Sequence, residues 1–253
     1  MARTLFEAIG YTLGQKAAQA KNAFDLVGGT EEDSLRAEIR LGRDLAAALL
    51  ERVPLVEENE ATRFAAQIGR WLAGHVKEKK LPFIVRVTAE REPNALALPG
   101  GPVFVSWPLL EMCQGQRDEI AFVLGHEMAH IVRQHALNRI VKDAALSLLL
   151  RQCSGRHAAS AWLNKAGRQL LDCAYSKEDE LEADVVAVGL VETAGGGALA
   201  GERLLERFTL GVSGQSVGIP GDYLATHPPL KERIANLHAR RQIDPPYPRR
   251  FCS

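Results

Sequence analysis

The sequence predicts a mostly helical α+β protein with a small antiparallel sheet and an N-terminal helical extension. Apolar residues recur at helical spacing over most of the chain, both before residue 80 and after residue 116. Only the stretch 81–106 has the alternating, β-branched pattern that is typical of strands. The 253 residues are 46% hydrophobic and 25% charged, so the chain can bury a full core in one or two domains.

The first 80 residues predict helices and no strand. An amphipathic helix over 34–52 ends before Pro54, and a second helix with an apolar stripe follows over 58–79. These stripes are typical of core packing, although a membrane or partner surface would need the same pattern. We interpret 1–80 as a helical extension that packs on a second unit over 81–245.

Three short strands are predicted at 81–88, 94–98 and 103–106, and the turn Pro99-Gly100-Gly101-Pro102 joins the last two. We expect them to form an antiparallel sheet with 103–106 at its edge, where an extended peptide could be added as a further strand. The rest of the chain predicts helices at 116–140, 143–152, 156–173, 177–192, 199–210 and 229–241, with a long loop at 211–222.

The charge balance excludes several classes of protein. With 31 basic and 31 acidic residues, the chain is neutral, which argues against nucleic-acid binding by bulk charge and against disorder. The longest apolar run, 144–150, is about a third of a membrane-spanning helix. Four cysteines without C-x-x-C spacing indicate a reducing, cytoplasmic compartment, or a periplasmic one if a signal peptide has been removed.

One motif indicates a metal site. His126-Glu127-Met128-Ala129-His130 is an H-E-x-x-H sequence, and on a helix its two imidazoles project from one face about 6 Å apart. That spacing suits two ligands of one zinc ion, with Glu127 placed to act on a water molecule there. Apolar neighbours on both sides indicate a buried helix, in which unpartnered histidines and a glutamate would be costly.

A third ligand is not determined by spacing. His135 follows His130 by five residues, which on a continuous helix rotates it about 140° away, so we expect a hydrogen-bonding role for it at the helix end. The alternative is a glutamate on a later helix. Three compete there, namely Glu178, Glu180 and Glu182.

The sequence resembles zinc metallopeptidase family forty-eight, which includes the CAAX prenyl proteases, HtpX and BepA. Three segments carry the resemblance: the motif 126–130 with a downstream histidine, Glu180-Leu181-Glu182-Ala183-Asp184, and Thr226-His227-Pro228-Pro229 followed by Arg233. The segment 94–101 is also similar. The match covers roughly 90–240 and is nearest to the soluble, BepA-like branch. It implies a zincin-like metallopeptidase domain over 81–245.

The resemblance also implies roles for individual residues. His126, His130 and Glu180 would bind one Zn²⁺, and Asp184 would orient a ligand histidine. Glu127 would be the general base. His227 would either stabilise the oxyanion or act as a fourth ligand that keeps the enzyme inactive. Arg233 would have an electrostatic role at the site, although an exposed surface arginine is an equal alternative.

We therefore expect a zinc endopeptidase that hydrolyses extended or unfolded polypeptides, as in protein quality control. A histidine latch could keep this enzyme inactive. The alternative is a catalytically silent, zinc-stabilised module that binds peptides or a partner. An integral-membrane prenyl protease is disfavoured by the absence of a spanning segment. We expect no nucleic-acid partner. The substrate, the specificity and the oligomeric state do not follow from the sequence.

Overall fold

The computed structural model describes residues 30–51, 53–76, 81–138, 175–212, 227 and 230–243. The helices predicted at 143–152 and 156–173 lie outside these residues, as do residues 1–29 and most of the loop predicted at 211–222. The described helices are α1 (Glu31–Leu50), α2 (Glu60–Ala73), α3 (Trp107–Met112), α4 (Arg117–Val132), α5 (Lys177–Thr193), α6 (Ala200–Val212) and α7 (Leu230–Ile243). The strands are β1 (Ile84–Thr88), β2 (Ala95–Ala97) and β3 (Pro102–Ser106).

The predicted α+β class with mostly helical content is confirmed, but the prediction of an antiparallel sheet is wrong for one of its two pairings. The strand order is β1-β3-β2, with β1 parallel to β3 and β2 antiparallel to it, so the sheet is mixed. The connection over 89–94 leads from β1 to β2 across the end of the sheet where β3 finishes. The chain then turns back, and β3 lies between β1 and β2. Alternating side chains look the same in either direction, so the sequence pattern could not reveal this.

The expectation that 103–106 forms the sheet edge is also wrong. β3 is the central strand, and Val103, Phe104, Val105 and Ser106 are all buried. A run buried on both faces is typical of a strand with neighbours on each side. The edges are β1 and β2. The segment before α2 partly covers the β1 edge, through a bridge between Leu55 and Thr88.

Helix α4 lies at the centre of the described fold. Every residue from Glu119 to Ile131 is buried, as the apolar flanks of the motif predict. The helix packs on α2, α5, α6 and the sheet. Its approach to α5 is close because Gly125 has no side chain, and a Cβ atom there would lie 3.5 Å from Cα of Ala187. This proximity brings the α5 side chains to the motif.

The N-terminal helix α1 packs on the turn between β2 and β3. Glu38 is buried, and its Oε1 accepts a hydrogen bond of 3.1 Å from the backbone N–H of Gly100. Gly42 faces the same turn so closely that a Cβ atom would lie 1.7 Å from the carbonyl oxygen of Pro99. Gly100 has a φ of 78°, a conformation that favours glycine.

Two local features differ from the sequence predictions. Helix α3 was not predicted; the Ser106 side chain caps it, and Pro108 occupies its first turn, where a missing N–H costs nothing. The helix predicted over 116–140 is interrupted after Val132, and Gln134 has a φ of 58° before residues 135–138 become helical again. Among the described residues, no helix combines the length and apolar character required to cross a bilayer.

Candidate metal centre

The two histidines of the motif converge inside the protein. His126 and His130 lie one turn apart on α4, and neither side chain is exposed. Their Nε2 atoms are 3.1 Å apart, and the rings meet edge to face. The helix therefore directs both nitrogens to one point, as the spacing of the motif predicts.

Glu180 reaches the same point from the first turn of α5. This helix begins with a capping box, in which the Ser176 hydroxyl accepts from the backbone N–H of Asp179 at 3.1 Å. Glu180 Oε1 is 3.3 Å from His130 Nε2, and its Oε2 is 3.4 Å from His126 Nε2. Of the three competing glutamates, only Glu180 is buried; Glu178 is exposed, and the Glu182 side chain is 48% exposed.

His227 supplies a fourth donor atom. Its Nδ1 lies 2.9 Å from Glu180 Oε1 and 3.3 Å from His126 Nε2. One donor atom from each of His126, His130, Glu180 and His227 can be chosen so that all four lie within 4.8 Å of one another. The flanking Thr226, Pro228 and Pro229 of the predicted third segment lie outside the described residues.

The donor set fits a tetrahedral cation. With bonds of about 2.0–2.1 Å, ligand atoms at the corners of a tetrahedron are about 3.3 Å apart, and the contacts above are close to that value. His126 and His130 each have a hydrogen-bonding partner at Nδ1, which in the neutral ring leaves a lone pair at Nε2. Two such lone pairs 3.1 Å apart repel unless a positive charge lies between them.

A second buried layer surrounds the donors. Asp184, one turn after Glu180, has Oδ1 2.9 Å from His126 Nδ1. Arg233 of α7 binds both oxygens of Asp184, through Nη2 at 2.7 Å and Nε at 2.8 Å. Its Nη1 also lies 3.2 Å from Glu180 Oε2. The arginine has no exposed surface, which removes the alternative of an exposed surface residue.

The motif glutamate faces the donors without a hydrogen bond. Both carboxylate oxygens of Glu127 are buried and accept no hydrogen bond from the described residues. The nearest ionisable partner is His227, whose Nε2 lies 3.5 Å from Glu127 Oε1. Burial raises the pKa of Glu127, against the opposing effects of His227 and His126. A raised pKa brings a carboxylate closer to the range that suits a general base at neutral pH.

The field of the cluster favours a positive charge at its centre. Burial and the Arg233 guanidinium lower the pKa of His126, but Glu180 and Asp184 outweigh them and raise it to about 9. Burial alone would raise the pKa of Glu180, yet the neighbouring His227 and His126 hold it well below its usual range. The carboxylates of the site thus favour a positive charge at His126, whereas burial lowers the pKa of His130.

Two aromatic contacts at the site were missed or only partly anticipated from the sequence. Tyr175 stacks on His130, with ring centroids 3.8 Å apart and an interplanar angle of 16°. His135 has its Nδ1 2.8 Å from Nδ1 of His130. A hydrogen-bonding role was expected for His135, but its partner could not be identified because the predicted helix was assumed to be continuous.

The comparison with known protein families agrees with this geometry. The model of peptidase family M48 matches residues 58–241, more than half of the chain. The chain belongs to peptidase family M48. This confirms the predicted membership in a zinc metallopeptidase family, and such a family implies a metal cofactor.

Relatives that are similar to this chain are named as metallopeptidases or proteases. Mitochondrial metalloendopeptidase OMA1 of Schizosaccharomyces pombe is 34% identical over 164 residues, 62% of this chain and 46% of the relative. The beta-barrel assembly-enhancing protease of Yersinia pestis is 24% identical over 227 residues, 85% and 46% of the two chains. Metalloprotease YcaL of Escherichia coli is 26% identical over 182 residues, 69% and 68%. This chain spans less than half the length of the first two.

Proposed function

We propose that the protein is a zinc-dependent endopeptidase that hydrolyses extended or unfolded polypeptides. The observation that carries the proposal is the buried group of two motif histidines, Glu180 and His227, with Glu127 beside it. In this account His126, His130 and Glu180 hold Zn²⁺, since nitrogen and carboxylate donors in a tetrahedral arrangement favour that ion. Bound zinc would polarise the scissile carbonyl and acidify a water molecule.

The remaining chemistry belongs to the side chains. Glu127 accepts a proton from the attacking water and later delivers it to the leaving amine. Its burial and its raised pKa support that role. Asp184 accepts a hydrogen bond from Nδ1–H of His126 and holds the ring with Nε2 toward the donors. Arg233 keeps Asp184 ionised and in place through two hydrogen bonds.

We further propose that His227 is a latch that holds the enzyme inactive. Its Nδ1 lies among the ligand atoms, and its Nε2 faces the carboxylate of Glu127. One imidazole therefore takes the position that a water molecule needs and contacts the base that would activate it. Withdrawal of the ring would open both positions at once. The alternative role, stabilisation of the oxyanion, requires the ring to leave the ligand set first.

The substrate would bind as an extended strand. Since β3 is central, the candidate edge is β2, which packs near the metal-binding helix α4. In the register of β2 with β3, Ser106 donates to the Asn94 carbonyl and Leu98 donates to the Pro102 carbonyl. The backbone groups of Ala95 and Ala97 then point away from β3. Both residues are buried, so the contacts that cover this edge have to open before a peptide can pair with it. Main-chain pairing there would accept many sequences.

A second function is supported by the closed set of four donors. Zinc sites with four protein ligands are usually structural, so the chain could be a zinc-stabilised module that binds peptides or a partner without cleaving them. Glu127 distinguishes the two functions, because a structural site needs no buried general base. The test is digestion of an unfolded protein such as casein by the zinc-loaded chain, with Glu127→Gln as the inactive control. Cleavage that depends on Glu127 supports the peptidase, and zinc binding without cleavage in any variant supports the module.

The domain boundary near residue 80 and the compartment also remain proposals. Helices α1 and α2 would belong to the helical extension, and residues 81–245 would form the peptidase domain. The relatives are named for a mitochondrial enzyme and for a protease of β-barrel assembly. These names point to different compartments. We propose a cytoplasmic location, or a periplasmic one if a signal peptide has been removed, and fractionation of the native host would test it.

A further inference from the structure

The two ligand histidines differ in what their outer ring nitrogens contact. Nδ1 of His126 lies against a carboxylate, that of Asp184, at 2.9 Å. Nδ1 of His130 lies instead against another imidazole, that of His135, at 2.8 Å. Metal-binding histidines almost always donate this N–H to a carboxylate, a backbone carbonyl or water, and the contact fixes the plane of the ring. The partner of His130 therefore needs its own account.

The positions of the protons follow from the contacts. Nε2 of His130 faces the other donor atoms, so in a ligand it carries a lone pair and the ring proton is on Nδ1. Among the described residues, the acceptor for this N–H is a lone pair on Nδ1 of His135. The proton of His135 is then on Nε2, which lies 3.4 Å from Glu182 Oε2 and 3.7 Å from Asp179 Oδ1. Two carboxylates of α5 thus face the end of a chain of two imidazoles.

The break after helix α4 brings His135 to this position. On a continuous helix, five residues would turn it about 140° away from His130. Gln134 instead has a φ of 58°, which reverses the chain locally and returns His135 to the last turn of α4. The Gln134 side chain donates to Oε2 of the buried Glu38 at 3.4 Å. A non-glycine residue in this conformation is uncommon and persists only where surrounding contacts hold it.

The other faces of both rings are also fixed. Tyr175 stacks on His130, and the His135 side chain is only 6% exposed. Glu182 is half exposed and is shared with Arg133, whose Nε lies 3.0 Å from Oε1. This exposed pair contributes little energy. The short contact between the two imidazoles is the buried polar contact at the outer nitrogen of His130.

We propose that His135 is a positioning residue for the proposed metal ligand His130, and that it holds this ring in the Nδ1–H tautomer by accepting a hydrogen bond from that N–H at its own Nδ1. An imidazole here does for His130 what the carboxylate of Asp184 does for His126. An imidazole adds no further negative charge to a cluster in which three carboxylates already face one arginine. The inference rests on the proposed metal site.

The test compares two substitutions of His135 in the full chain. His135→Phe keeps a ring but removes the acceptor, whereas His135→Asn places an amide oxygen near the position of Nδ1. Zinc affinity is measured by competition with a chromophoric chelator, a readout independent of catalysis. We expect His135→Phe to weaken zinc binding roughly 10- to 100-fold, the usual effect of losing such a partner. We expect His135→Asn to restore most of that loss.

Controls separate positioning from folding and from the metal site itself. His238→Phe, at a partly exposed histidine of α7, should bind zinc like the wild type. Thermal unfolding of the metal-free variants should show that both His135 variants are folded. Wild-type zinc affinity retained by His135→Phe, or an equal loss in the Phe and Asn variants, would overturn the positioning role alone. A wild-type chain that binds no zinc would overturn the proposed function as well.

Discussion

The Nε2 atom of His227 lies 3.5 Å from Oε1 of Glu127, while Nδ1 of the same ring lies 2.9 Å from Oε1 of Glu180. A single side chain thus contacts both the group that would bind a cation and the group that would activate water. Only 2% of the histidine is exposed, so the contact belongs to the protein interior. The proposal of a closed, latched form rests on this geometry.

The first prediction concerns the latch. Replacing His227 with Ala should raise the rate of casein cleavage by about tenfold or more at saturating zinc, because an open form is then no longer a minor state of about 10% or less. The rate is measured as the increase in fluorescence when labelled casein is cleaved. His238→Ala, at a partly exposed histidine, is the matched control and should leave the rate unchanged. Slower cleavage by His227→Ala would contradict the latch and favour the oxyanion role.

The second prediction concerns the pair of Asp184 and Arg233. Burial alone would raise the pKa of Asp184, but the Arg233 guanidinium and the His126 hydrogen bond hold it below its ordinary value. A carboxyl group whose pKa is lowered by folding contributes stability above its unfolded pKa of about 3.9, and this contribution is lost as the pH falls further. In the presence of EDTA, Asp184→Asn should therefore destabilise the protein at pH 7 by about 3–5 kcal/mol, since Arg233 loses the carboxylate that binds it through two hydrogen bonds.

The pH dependence distinguishes this pair from a general effect of the substitution. The difference in the free energy of unfolding between wild type and Asp184→Asn should shrink as the pH falls below about 4, the unfolded pKa of the carboxyl group. Urea denaturation at each pH measures it. Glu178→Gln removes an exposed carboxylate from the same helix and should change little. A difference that is constant from pH 7 to pH 3 would contradict the assignment.

The third prediction tests the packing of helix α1 on the sheet. In Gly42→Ala the new methyl group would lie 1.7 Å from the carbonyl oxygen of Pro99, a backbone atom that cannot move away freely. We expect a loss of about 2–3 kcal/mol, the upper range for overpacking. Gly189→Ala is the matched control, because its nearest atom is 3.7 Å away and alanine favours a helix by up to about 1 kcal/mol. Equal thermal stabilities of the two variants would show that α1 does not pack there.

The sequence was sufficient for features that depend on local spacing. Helical periodicity predicted α1, α2, α5, α6 and α7 to within a few residues in most cases, although α2 ends well before the predicted residue 79. The spacing of His126 and His130 predicted their convergence, because four residues return a side chain to the same helix face. The choice of Glu180 among three glutamates needed the family resemblance, since its burial depends on the packing of α5 against α4.

Features that depend on tertiary packing could not be predicted. The sequence of α7 is rich in charged residues, so its pattern does not show whether Arg233 is exposed or buried. The two hydrogen bonds of Arg233 with Asp184 form only when α7 packs near α5. The sheet order depends on how the chain crosses β3, which side-chain alternation does not encode. The break at Gln134 has no glycine or proline to indicate it, so the contact between His135 and His130 was also hidden.

The most direct test of the central claim is digestion of casein by the wild-type chain and by Glu127→Gln at equal zinc loading, which is verified by metal analysis. Glutamine keeps the size of the side chain but cannot accept the proton. We predict that the wild type cleaves and that Glu127→Gln loses activity by at least about 100-fold, the lower range for general base catalysis, while it still binds one zinc ion per chain. Equal cleavage by both proteins, or no cleavage by wild type and His227→Ala despite bound zinc, would contradict the account.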